Sequence, residues 1–141
     1  MYEKSMLDLD SCFKAIDAMT KEFNKDSSRS PVDMAIVDDM GNLLAYARMD
    51  RCNRPTFALR KAYTSAVRGT TTGAFAERLA AQGRSLADIG DPQLIITRGS
   101  VVIRNPKDSS VLGAIGVGGL PSGEEDEKIA EAGLQALDLE R

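Results

Sequence analysis

Val32-Asp33-Met34-Ala35-Ile36-Val37-Asp38-Asp39-Met40-Gly41-Asn42-Leu43-Leu44-Ala45-Tyr46-Ala47-Arg48-Met49-Asp50 reads as two extended runs joined by a tight turn. Val32, Met34 and Ile36 point to one side, and Asp33 and Ala35 to the other. This is the period-two pattern of a half-buried strand, ending near Asp38. Asp39-Met40-Gly41-Asn42 carries turn chemistry, because Gly and Asn tolerate positive φ. Leu43 to Met49 is then the return strand of a β-hairpin.

Upstream, Leu9, Phe13, Ile16, Met19 and Phe23 recur at helical spacing. They predict a helix over Leu9 to Asn24 with one apolar stripe, capped by Asp8 or Asp10. Downstream, a helix covers Phe57 to Val67 with Thr56 as its N-cap. Another covers Ala74 to Ala81 and closes at Gly83. Leu94 to Arg98, Val101 to Arg104 and Val111 to Val117 read as strands, the last apolar on both faces and therefore central. The last helix starts at Ser122, which has capping-box spacing to Glu125. Glu124, Glu125, Asp126 and Glu127 crowd its first turn, where the helix dipole favours negative charge. Ile129, Ala132, Ala136 and Leu137 form a small-residue face for packing on a sheet. Strands fall in consecutive groups and do not alternate with helices. The expectation is one α+β domain over 1–141, with an antiparallel sheet of about five strands and helices packed on it.

The bulk composition removes several function classes. With 43% hydrophobic and 28% charged residues, the chain has globular proportions. A net charge of -3 with mixed signs is wrong for a general nucleic-acid surface. No apolar run approaches the ~20 residues of a bilayer span, and the N-terminus lacks the apolar core of a signal peptide. Cys12 and Cys52 are too few for a disulfide scaffold and match no zinc spacing. They read as reduced thiols of a cytoplasmic protein. There is no histidine and no tryptophan. That excludes a Ser-His-Asp triad, a Cys-His pair and a His-ligated zinc; no metal site is read.

Three stretches carry candidate chemistry. Gly113-Ala114-Ile115-Gly116-Val117-Gly118-Gly119 lies between a strand and a helix, where backbone amides bind anions. It lacks the Gly-Lys-Ser/Thr of a P-loop and the third glycine of a dinucleotide fingerprint. Gly116, Gly118 and Gly119 are its candidate contacts, with tight packing as the competing role. Arg48-Met49-Asp50-Arg51-Cys52-Asn53-Arg54 supplies arginine forks suited to carboxylates and phosphates, Arg48 and Arg54 foremost. On the helix Phe57 to Arg68, Lys61, Thr64 and Arg68 share a face. A buried Lys61 would offer general-base or Schiff-base chemistry; the commoner arrangement sends the ammonium to solvent along an apolar stem. Asp38-Asp39 reads as a hairpin end, and Glu124 to Glu127 as helix capping.

In order along the chain, Val32 to Asp50, Lys61-Ala62-Tyr63-Thr64-Ser65-Ala66, Gly113 to Gly119, Glu125-Asp126-Glu127 and Ala130-x-Ala132-Gly133-Leu134 resemble the GlcG/HbpS-like family. The resemblance implies a profilin-like α+β fold and homo-oligomers with ligand sites near subunit interfaces. It implies heme or another tetrapyrrole as ligand, with heme breakdown as an associated activity. It also implies an alternative: an accessory protein of a glycolate or diol/glycerol catabolic operon that binds a small anionic metabolite or a corrinoid at the glycine-rich junction. A third reading is a small enzyme acting through Lys61. Some relatives hold heme through histidine, which this chain lacks. Heme would here rest on a hydroxyl, Cys52, Met49 or arginine–propionate pairs, with Arg48, Arg54, Lys61 and Thr64 as candidate contacts.

Overall fold

The computed structural model describes residues 1–53 and 55–139. Its elements run α1 (Leu9–Phe23), β1 (Asp33–Asp38), β2 (Leu43–Arg48), α2 (Pro55–Arg68), α3 (Thr72–Ala81), β3 (Ser100–Arg104), β4 (Val111–Gly118) and α4 (Gly123–Ala136). The strands form one antiparallel sheet in the order β2-β1-β4-β3. α1 and α4 cover one face and α2 the other. This is a profilin-like α+β arrangement.

The hairpin forms as the turn residues dictate. Asp38 Oδ1 accepts from the Met40 and Asn42 N–H groups at 2.9 and 3.0 Å, and Gly41 takes φ +82°. β1 is buried along its whole length, however, and not on one face only. Helices lie on both sides of it, so Asp33 is enclosed along with its apolar neighbours.

The expected fifth strand, Leu94 to Arg98, is absent. Side chains of α2 take its backbone groups instead: Ile95 N–H donates to Thr64 Oγ1 at 3.0 Å, and Arg60 Nη2 donates to the Leu94 carbonyl at 2.9 Å. With those groups satisfied by a helix, no ladder is needed, and β3 becomes the sheet edge. β4 is central as expected, between β1 and β3.

α1 starts at Asp8, whose Oδ1 accepts from Ser11 N–H at 2.8 Å. Its buried face is rotated from the expected stripe. Cys12, Ala15 and Met19 point inward, while Leu9 and Phe13 are 53% and 57% exposed. The small residues let α1 approach α4 closely, where Met19 lies against Gly133. α2 begins at Pro55, one residue before the expected cap, a position where proline's fixed φ suits a helix start. α3 begins at Thr72, capped by Thr71, and Gly83 follows it at φ +63°. In α4, Ser122 Oγ accepts from Glu125 N–H at 3.2 Å. Its buried face is Asp126, Ile129, Ala130 and Gly133, displaced from the one expected. Among the described residues no helix is long and apolar enough to cross a membrane.

Candidate functional site

At one end of the sheet three strands finish side by side. Asp33, the first residue of β1, pairs with Arg48 at the end of β2 and with Gly118 at the end of β4. The first turn of α2 closes over this row. A Cβ placed on Gly118 would lie 3.1 Å from Asp33 Oδ1 and 3.5 Å from Ala58 N. Asp33 is fully enclosed there. Its Oδ2 accepts from Tyr46 Oη at 2.8 Å, and its Oδ1 has no hydrogen-bond partner among the described residues.

Burial is the main cause that pushes the Asp33 carboxyl up to about 6. The Tyr46 hydrogen bond and the Lys61 charge oppose it, and Asp126 adds to it. The Tyr46 phenol is raised in turn, first by burial and then by the Asp33 carboxylate, with Cys52 adding and Arg48 opposing. A carboxyl whose proton affinity rises on folding stabilises the fold below its unfolded value of 3.8, and that contribution is lost as pH climbs through about 6. Asp33→Asn is therefore expected to remove a pH-dependent loss of up to about 3 kcal/mol between pH 4 and 6. Urea unfolding of both proteins across that range checks it; parallel pH profiles would refute it.

Behind Asp33 lies a buried ion pair. Lys61 is 2% exposed, and its Nζ donates to Asp126 Oδ2 at 3.0 Å and to the Val117 carbonyl at 2.9 Å. Asp126 Oδ1 accepts from Leu120 N–H at 3.0 Å. Burial pushes the Asp126 carboxyl up, opposed chiefly by the Lys61 charge. This corrects two expectations. Lys61 does not reach solvent, and the acidic first turn of α4 is not only a capping feature, since Asp126 turns inward.

The nominated residues divide between different surroundings. Arg48 is exposed at the sheet end. Arg54 lies outside the described residues. Thr64 is fully buried, one turn along α2 from Lys61, and faces Ile95. Gly116 lies directly beneath α2, where a Cβ would fall 2.1 Å from the Ala58 carbonyl oxygen and 2.6 Å from Ala62 N. Gly118 adjoins Asp33, and Gly119, at φ +119°, adjoins the Pro31 carbonyl. The sheet end thus gathers Arg48, Lys61 and Gly118 but leaves Thr64 apart.

Asp33, Tyr46 and Asp126 were not singled out from the sequence. An aspartate at the start of an otherwise apolar strand was the available signal for Asp33. Neither Cys12 nor Cys52 is in a disulfide, and both are buried. Among the described residues, no group of three or more His, Cys, Asp or Glu is placed to hold a metal ion. The site is a polar cluster under an exposed arginine and a partly exposed tyrosine. It offers a carboxylate with raised proton affinity, a phenol fixed against it and a cation at the rim, the combination from which ligand recognition and proton exchange are built.

Comparisons with known proteins bear on this arrangement. Residues 7–135 match the family model described as haem degrading protein HbpS-like. A double mutant of HbpS from Streptomyces reticuli is 31% identical, with a TM-score of 0.86 over 98% of this chain and 91% of that one. The fold is shared with Klebsiella pneumoniae protein ORFY, at 23% identity, a TM-score of 0.82 and 96% and 93% coverage. It is shared too with the PduOC:heme complex, at 21% identity, a TM-score of 0.81 and 96% and 97% coverage. No curated protein sequence matches the chain. A family model matching residues 7–135, and an HbpS structure superposing over nearly the full length, place the chain in the haem degrading protein HbpS-like family.

Proposed function

We propose that this protein binds heme, or a closely similar tetrapyrrole, against the α2 side of β2 at the sheet end. The observation that carries the reading is the surface made by Leu43, Tyr46 and Arg48. Leu43 and Tyr46 are 50% and 37% exposed, and Arg48 is exposed beside them. Their strand partners Val37, Ala35 and Asp33 place all three on the α2 side of the sheet. An apolar and aromatic wall ending in a guanidinium suits a flat macrocycle that carries carboxylates on its rim. The haem-degrading family and the heme complex of a protein with this fold support the same ligand class.

The residues present fit heme without histidine. The buried Asp33 carboxylate has an unpartnered oxygen and holds a phenol at the surface, so the local donor chemistry is that of oxygen. Arg48 anchors a propionate, and Arg54 is the second arginine of the same stretch. Tyr46 and Leu43 cover one face of the ring. A second copy of the chain closes the other face in a homo-oligomer, since this wall is open to solvent. Bound heme would supply an iron able to react with oxidants, and its breakdown is the activity that accompanies binding in this reading. Lys61 acts from beneath, by tying α2 to the Val117 carbonyl of β4, and Thr64 by tying α2 to the segment at Ile95.

A hemin titration of the purified protein, followed by visible absorption, tests this. A saturable Soret shift is expected. Arg48→Ala removes a charge-assisted hydrogen bond of about 1.5–3 kcal/mol and weakens binding about tenfold or more. A spectrum no different from hemin mixed with an unrelated acidic protein overturns the reading. It would turn attention to small anions or corrinoids at Gly118 and Gly119, with thermal stabilisation by such a ligand as the measure.

A further inference from the structure

We infer that Tyr46 is the residue through which this histidine-free chain ligates the iron of its tetrapyrrole, with Asp33 as the group that positions it. The inference rests on the heme-binding reading above.

Proteins hold heme iron mainly through histidine, cysteine thiolate, methionine or tyrosine. This chain has no histidine. Cys12 is fully enclosed between α1 and the sheet, and Cys52 is 6% exposed. Met19 and Met34 are core residues on the α1 and α4 side of the sheet, and Met49 packs against that same core. Met40 is exposed, but it sits in the β1–β2 turn at the opposite end of the hairpin from Arg48. Met1, Tyr2 and Met6 lie ahead of α1. Tyr63 donates its hydroxyl to Asp91 Oδ2 at 2.7 Å, and its ring sits under the turn at Gly41.

Tyr46 differs from all of these. It is 37% exposed and two residues from the exposed Arg48 on the same strand. Residues i and i+2 of a strand share a face, so Tyr46 and Arg48 lie on one face of β2, with Cα atoms about 7 Å apart along the strand. An iron-binding oxygen and a propionate-binding cation therefore occupy one surface.

The phenol is also held against a base. Its Oη lies 2.8 Å from Asp33 Oδ2, in a carboxylate that is fully enclosed and whose other oxygen has no partner among the described residues. A phenol is a poor ligand for ferric iron until its proton has somewhere to go. Here the O–H bond breaks as the Oη–iron bond forms, the proton passes to Asp33, and water leaves the iron. The iron stays ferric throughout, so no oxidant or reductant is required.

The test uses the full chain loaded with ferric hemin, as wild type, Tyr46→Phe and Tyr63→Phe. The wild type is expected to show phenolate-to-iron charge-transfer absorption and phenolate modes in resonance Raman spectra. Tyr46→Phe should lose both while still giving a saturable Soret shift, with affinity reduced about tenfold. Tyr63→Phe should keep both. The Phe variant deletes one oxygen from a partly exposed side chain, and its far-ultraviolet circular dichroism should match the wild type. If the wild type binds hemin without phenolate bands, or Tyr46→Phe retains them, the ligand assignment is overturned and the heme reading stands. If the wild type gives no saturable Soret shift, the heme reading and this assignment fall together.

Discussion

Asp126→Ala is expected to cost about 3–5 kcal/mol of folding stability, the penalty typical of removing one member of a buried ion pair. Lys61 Nζ, 2% exposed, would keep only the Val117 carbonyl, and the Leu120 N–H would lose its acceptor. Taking an unpaired ammonium out of water is the dominant cost. Lys61→Met should cost a similar amount for the converse reason, since the Asp126 carboxylate would then be buried beside no cation. The double variant Lys61→Met/Asp126→Asn should recover half or more of the loss. It buries no net charge, and an amide oxygen at 126 still serves Leu120 N–H. Urea midpoints at neutral pH measure all three, with unchanged slopes showing that the effect is on stability. Single variants within about 1 kcal/mol of wild type, or a double variant as unstable as the sum of the two, would refute the buried-pair account. The pair ties α2 to α4 across the end of β4, and α2 is the helix that closes over Asp33.

Gly116→Ala is the second large effect. β4 and α2 approach so closely at this residue that an added methyl would meet the Ala58 carbonyl and the Ala62 amide nitrogen, both α2 backbone. A flexible side chain would swing aside; a helix backbone moves only as a unit. The helix is itself built for this contact, with Ala58, Ala62 and Ala66 along its buried face. Overpacking of a filled core costs about 1–3 kcal/mol, and backbone contacts put this site at the top of that range. Gly116→Val should exceed what a domain this size can spare and leave little soluble protein. Gly83→Ala is the contrast. A Cβ there meets nothing within 4 Å, so only the positive φ of +63° is penalised, at about 1–2 kcal/mol. Thermal melts of the two alanine variants compare the mechanisms. A Gly116→Ala protein that melts with or above Gly83→Ala would show that the sheet and helix are not locked at this point.

The candidate site was only partly legible beforehand. Arginine chemistry marked Arg48, and the glycine run marked Gly116 and Gly118, yet the run's spacing alone did not separate ligand contact from close packing. Asp33 looked like the solvent-facing member of an alternating strand. It is enclosed because α2 covers that face, and the helix that covers it is remote in sequence. Tyr46 drew no notice for the same reason: its partner Asp33 stands 13 positions earlier and meets it only through strand pairing. Lys61 and Asp126 are 65 positions apart, so the sequence offers Lys61 as a candidate contact and Asp126 as part of a capping turn without joining the two.

What the sequence determined by itself was everything governed by local rules. The period-two runs and Gly41 specified the hairpin, helical spacing with caps at Asp8 and Ser122 specified α1 and the start of α4, and an apolar strand on both faces specified β4 as central. These are short-range effects of backbone geometry and capping, complete within a few residues. The tertiary structure decided the rest. It chose which face of α1 is buried, because close approach to Gly133 outweighed the larger apolar stripe. It withheld a fifth strand, because α2 side chains met the backbone of Leu94 and Ile95 before a neighbouring strand did. It turned Asp33, Tyr46, Lys61 and Asp126 into one polar cluster, because burial sets the proton affinity of a carboxyl and the partner of a lysine, and burial depends on what packs above.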